Sequence, residues 1–234
     1  MNFTIVKANI VDVQADAIVL PANEKLKEGS GTSRAIFEAA GREKLKAECD
    51  KKGHCDVGLA IPTPAFDMSA SFIIHAVVPK WKGGKHNEYD LLSSAYLTSL
   101  NIADVMGCES IAFPLLASGN NGFDRELAFH IAEESIRCFE GKALKQVILV
   151  VFGDTTAQFV QSLGYEVTEF HAVQKPVPKT KEVVNNCLNQ AGEWLKNPKH
   201  REALVELGAV IVTSLIRKKP NVPAIADCLK KFVK

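Results

Sequence analysis

Apolar positions in the first 170 residues fall into short runs with the period of strands, separated by stretches with the period of helices. FTIVKANI (3–10) alternates, and ADAIVL (15–20) is a short β-rich run. Helical spacing follows at about 33–40 and again at 43–52. VGLAIPT (57–63) and SFIIHAVV (71–78) predict strands, the second apolar throughout and therefore buried on both faces. A helix is predicted over 87–106, a buried strand at SIAFPLL (110–116) and a helix over 125–139. QVILVVF (146–152) predicts a strand, 155–163 a helix and YEVTEF (165–170) a last strand. Strands separated by helices of this length imply a layered α/β sheet with many parallel neighbours. In such sheets ligands sit at the carboxyl ends of the strands, where the loops gather.

The pattern changes after residue 170. HAVQKPVPKTK (171–181) carries two prolines and reads as a linker. Three helical patterns follow, near 181–195, 199–217 and 222–232, with no strand between them. ALVELGAVIVTSLI (203–216) is apolar on nearly every face, so its burial is expected. The organisation predicted is an α/β unit over 1–170, a linker over 171–181 and a helical extension over 182–234. About 55 residues rarely build a strong core alone, so the extension is expected to dock on the first unit.

Composition narrows the class only a little. The chain has 234 residues, 47% hydrophobic and 24% charged, as in an ordinary globular protein. A net charge of +1 gives no global bias toward nucleic acid or membranes. The two parts differ in sign, however. Residues 1–174 hold 16 Lys and Arg against 22 Asp and Glu, and residues 175–234 hold 12 against 5. The basic tail could dock on the acidic body or bind an acidic partner, and nucleic acid stays open as a partner through residues 175–234. No run approaches the ~18 apolar residues of a spanning helix, so no membrane partner is expected. MNFTIVKANIVDV lacks a basic start followed by an apolar core, so no signal peptide is expected, and the location predicted is cytoplasmic. The six cysteines form no Cys-x-x-Cys pair and read as free thiols of a reducing compartment. Cys49, His54 and Cys55 lie close together but lack a matching fourth ligand, so no metal and no cofactor is expected.

Two glycine-bearing loops each follow a buried strand and precede a helix. The first runs from Asn23, which reads as buried, through Gly29-Ser30-Gly31 to Ser33. The second lies in FPLLASGNNGFDRELAF (113–129). Glycine lets backbone N–H groups approach an anion, and a helix N-terminus adds unpaired donors and partial positive charge. Two such loops on one sheet edge suit a diphosphate. Neither is a Gly-Lys-Ser/Thr phosphate loop or a G-x-G-x-x-G, and Asn121-Gly122 could also be a plain tight turn.

These residues carry a resemblance. Leu20-Pro21-Ala22-Asn23, Leu26 and Gly29 through Ile36 resemble the first loop of the macrodomain family, N-A-A-N-x-x-L-x-G-G-G-V-x-G-A-I. SFIIHAVVPKW resembles a strand ending I-H-x-V-x-P-x-W. IAFPLLASGNNGF resembles I-A-F-P-x-x-S-x-G-x-x-G-F/Y, and VILVVFGD a strand ending in Phe-Asp. The resemblance covers about residues 1–170 and implies a three-layer α/β/α fold with a mixed central sheet, to which the all-α extension is added. It also implies recognition of ADP-ribose, free or attached to protein. Asn9-Ile10 stands where the family has an Asp-Ile that meets adenine. Phe152 would stack on the base, and Asn23 would meet the distal ribose. Gly29, Ser30, Gly31, Thr32 and Ser33 would line the first loop. Ser118, Gly119, Asn120, Asn121, Gly122 and Phe123 would wrap the diphosphate and distal ribose.

The resemblance leaves catalysis open. Well-known hydrolytic macrodomains place an Asp ten residues after the loop Asn and a His four residues further. Here those positions are Ser33 and Phe37. Serine is no general base without an activating partner, and phenylalanine has no proton chemistry. Asn23 is then the one catalytic candidate, through a water held in the loop. Glu28 could reach the ribose but also reads as a solvated loop charge. Asp124 reads as a helix cap, His75 as a core histidine, and Lys27 and Arg34 as surface charges that could attract phosphate. Three functions follow: an ADP-ribose-binding module, an ADP-ribosyl hydrolase or O-acetyl-ADP-ribose deacetylase, and a sensor whose basic tail binds an acidic partner.

Overall fold

The computed structural model describes residues 1–170 and 180–216. The elements are β1 (Asn2–Lys7), a 3-10 turn (Ile10–Asp12), β2 (Ala17–Ala22), α1 (Thr32–Ala40), α2 (Arg42–Lys52), β3 (Ala60–Pro64), β4 (Phe72–Val77) and α3 (Glu88–Val105). β5 (Ser110–Pro114), α4 (Arg125–Arg137), β6 (Gln146–Val151), α5 (Asp154–Ser162), β7 (Thr168–Glu169), α6 (Lys181–Lys196) and α7 (Pro198–Ile216) complete it. The strands form one mixed sheet in the order β3-β4-β2-β5-β6-β1-β7. Every pairing is parallel except β3 with β4. Pro62 and Pro64 sit on β3, at the sheet edge, where a missing N–H is least costly.

The period of two along each strand builds the layers. On β2, Ala17 and Val19 join one core with Tyr96 and Leu100 of α3, Phe129 of α4 and Val160 of α5. Ile18 and Leu20 face the other way, into a second core with Ile36 and Phe37 of α1 and Leu45 and Cys49 of α2. The sheet is thus covered on both faces, which is why its strands read as continuous apolar runs. His75 of β4 lies in the second layer's interior, with Nε2 2.9 Å from Thr63 Oγ1. Burial drives its pKa down to about 3, so it is a neutral core histidine.

Most predicted elements match within a few residues, and three differences stand out. The last strand shrinks to Thr168–Glu169, pairing with β1 only at Val6 and Lys7. Lys181, which the sequence put both at the linker's end and at the start of a helical pattern, belongs to α6, because the Thr180 hydroxyl caps that helix by accepting from Val183 N–H. On α7, Ala203, Leu204 and Leu207 are buried, but Val205 is 54% exposed, so this helix is not covered all round. The helix predicted near 222–232 and most of the linker lie outside the described residues. Helices α6 and α7 pack on the α3 side: Val184, Cys187 and Ala191 enter the first core, and α7 meets α3 and α4. Arg201 adds an ion pair to Asp56 at 2.7 Å. No helix among the described residues is long and apolar enough to cross a membrane.

Candidate functional site

Strands β1, β6, β5 and β2 are consecutive in the sheet and parallel, so their carboxyl ends open on one edge. Asn9 follows β1 and Phe152 follows β6, and Lys7 pairs with Val151, so these two residues lie side by side at one end. Phe152 is 74% exposed, a costly setting for a phenylalanine. Asn9 is exposed and caps the 3-10 turn, its Oδ1 3.5 Å from Val11 N. The neighbouring Ile10 does not share that exposure; its side chain is core, which leaves only its backbone for a ligand.

The first loop connects β2 to α1 and is held by its own side chains. Asn23 Oδ1 accepts from the N–H groups of Lys25 and Lys27, and its Nδ2 donates to Lys27 O at 2.6 Å. Asn23 is exposed rather than buried, because it is the knot of the loop and not part of the core. Ser33 is buried, and its Oγ accepts from Gly29 N–H at 3.0 Å. Gly31 has φ 57° and ψ −126°, a conformation side chains resist, and it starts α1 without any side-chain cap. The first N–H groups of α1, from Thr32 onward, therefore face the loop without a protein acceptor from the capping residue.

The second loop connects β5 to α4. It contains a tight turn, Gly122 N–H to Gly119 O at 2.9 Å, so the sequence's alternative for Asn121-Gly122 is present as well. Its helix end is already filled: the Asp124 carboxylate accepts from Leu127 N–H at 3.0 Å. Ser118 donates to Leu115 O, and Tyr96 OH accepts from Leu116 N–H. Phe123 is buried edge-on against Trp81, which leaves its backbone for a ligand. Asn120 Nδ2 reaches Ser30 Oγ at 2.6 Å and links the two loops across the cradle.

Sequence reasoning missed a third loop of the same form. Residues 79–87 join β4 to α3 and contain Gly83-Gly84, both at positive φ. The signal was there: a strand, a glycine pair and a helix. Glu88 holds this loop, accepting from Lys82 and Gly84 N–H on Oε1 and from His86 N–H on Oε2. Burial alone would raise this carboxyl's pKa, but the amides of Glu88, His86, Lys82 and Gly84 outweigh it and hold the pKa below the usual range. Trp81 N–H donates to Asn121 O at 2.8 Å, joining this loop to the second.

The candidate acids and bases are committed elsewhere. Glu28 forms a two-pronged ion pair with Arg42, at 2.9 and 3.1 Å, and does not turn toward the cradle. Phe37 is 1% exposed and belongs to the core. Of the suspected metal cluster, Cys49 lies 4.0 Å from His75, and His54 pairs with Asp56. Among the described residues no three potential ligands gather around a metal position.

Comparison with known proteins fits this arrangement. The Macro domain family model matches residues 19–132. A macro domain-containing protein of Caldanaerobacter subterraneus subsp. tengcongensis is 43% identical over 166 residues, spanning 69% of this chain and 94% of that protein. An O-acetyl-ADP-ribose deacetylase of Citrobacter rodentium is 39% identical over 164 residues, 68% of this chain and 93% of that enzyme. Among solved structures, the Oceanobacillus iheyensis macrodomain with ADP superposes with a TM-score of 0.63 at 31% identity, covering 68% of this chain and 87% of that one. The Trypanosoma brucei macrodomain in complex with ADP-ribose gives 0.63 at 26% identity, covering 70% and 69%. The chain belongs to the macro domain family.

Proposed function

We propose that this protein binds ADP-ribose along the carboxyl edge of its sheet, free or as a modification on protein. The observation that supports this most is the uncapped start of α1 behind Gly31, facing a loop of compatible geometry. The diphosphate would lie between the first and second loops, where the N–H groups from Thr32 onward can receive it. Adenine would stack on Phe152, a contact worth about 1–3 kcal/mol for comparable bases. Asn9 would meet the base with a neutral acceptor where the family pattern has a carboxylate, which weakens that bond on the ~1 kcal/mol scale. The distal ribose would lie toward Asn23.

Hydrolysis is the second reading, and the deacetylase relatives support testing it. The residues around the cradle argue for slow turnover or none. Ser33 is spent on Gly29, Phe37 is core, Glu28 is held by Arg42 and Asp124 caps α4. Asn23 could hold a water but cannot ionise. The reading in which a basic tail binds an acidic partner rests on charge that falls largely outside the described residues.

Calorimetric titration with ADP-ribose, and with AMP as control, tests the proposal. Binding near micromolar strength, about −8 kcal/mol, with much weaker AMP binding is expected. No binding, or equal binding of AMP, contradicts it. Assays on O-acetyl-ADP-ribose and on ADP-ribosylated protein then decide the second reading, and little turnover above the uncatalysed rate is expected.

A further inference from the structure

A cleft of about 310 Å³ borders the first and second loops at Asn23 and Asn121, the end at which the reading above puts the distal ribose. Its floor is apolar, from Val57, Val77 and Leu91. Lys80, Lys82 and His86 line its rim, all exposed and none paired with a carboxylate among the described residues. The charge is local. Residues 1–174 are net acidic, yet 79–87 carries three lysines and a histidine without an acid. Glu88 borders the cleft but is occupied by backbone amides, which leaves Glu24 as the lining carboxylate without a hydrogen-bond partner.

We infer that this cleft receives the polypeptide that carries the ADP-ribose, and that it favours acidic residues flanking the modified one. The inference rests on the ADP-ribose reading above, since whatever is attached to the distal ribose leaves the cradle here. Size argues against a small acyl group as the occupant. The cleft has room for about ten waters at the ~30 Å³ each takes in the liquid, and an acetyl group fills little of it. A phosphate-rich occupant fits less well. The loop amides that could form an anion nest are already spent on Glu88. An apolar floor with flexible cations at its rim suits carboxylate side chains on short hydrocarbon stems.

Three probes test this on the full chain: free ADP-ribose, and two peptides carrying it through a hydrolysis-resistant bond, one with Asp and Glu neighbours and one with Ser and Gly. The acidic peptide should bind about five- to twentyfold tighter than the other two, the scale of two or three exposed charge pairs, and lose that gain at high salt. In the variant K80A/K82A/H86A the gain should vanish while free ADP-ribose binds as before. These side chains can be removed safely, because the loop is held through its backbone to Glu88. Equal affinity for the two peptides, or a gain that survives in the variant, overturns the inference and leaves the ADP-ribose reading standing. Failure of free ADP-ribose to bind overturns both.

Discussion

The first and second loops share one pattern, strand then glycines then helix, yet they differ in what they leave open. At the first, Gly31 begins α1 with no cap, and Asn23 and Ser33 tie the loop from within. At the second, Asp124 caps α4, and the loop is braced by Tyr96 and by the Trp81 N–H. One loop keeps its helix end for an external anion, and the other has spent it on its own carboxylate. The third loop makes the same point more strongly, since Glu88 fills its amides as a ligand would. A glycine loop before a helix is therefore a potential anion site only when the chain supplies no anion of its own.

The contrast can be broken or sharpened by substitution. Gly31→Val should have the largest effect. An added Cβ meets no atom within 4 Å, so the cost is backbone strain at φ 57°, about 1–3 kcal/mol. ADP-ribose affinity should fall at least tenfold in calorimetry, while the α4 end stays folded.

Acid gives a control that strikes both loops alike. The folded-state pKa of His75 is depressed to about 3 from an ordinary 6.5. The unfolded chain thus binds a proton that the folded chain refuses between those values, and stability falls as pH drops through that window. About 2 kcal/mol should be lost by about pH 5 in urea titrations, and His75→Gln should flatten this slope.

Ser33→Ala and Asp124→Ala form the matched pair. Each removes one hydrogen-bond acceptor and should cost about 1 kcal/mol of stability by chemical denaturation. Only Ser33→Ala should also weaken ADP-ribose, about three- to tenfold, because it frees the Gly29 end of the cradle. Asn120→Ala should matter least. It removes an exposed link to Ser30, and a change in affinity below about threefold is expected.

The layered sheet was legible in the sequence because its signals are local. Alternation on β1 and the apolar runs on β2, β4 and β6 mark strands within a few neighbouring residues. The two glycine loops and the missing acid at Ser33 were legible for the same reason. What escaped depends on how the chain folds back on itself, over long separations and short ones. The Glu28–Arg42 pair and the Asn120–Ser30 link appear only once α1, α2 and the second loop are folded together. Glu88 reads as an ordinary first-turn acid until the loop before it curls back onto its carboxylate. Asn23 looked buried by its apolar neighbours, but the strand ends one residue earlier and the chain turns outward there.

The most direct measurement is an NMR titration of backbone amides with ADP-ribose. The account predicts large shifts, with slowed exchange, for the amides of Thr32, Ser33 and Arg34 at the start of α1, and small ones for Glu126 and Leu127 at the start of α4. Shifts concentrated at α4, with α1 unmoved, would contradict it.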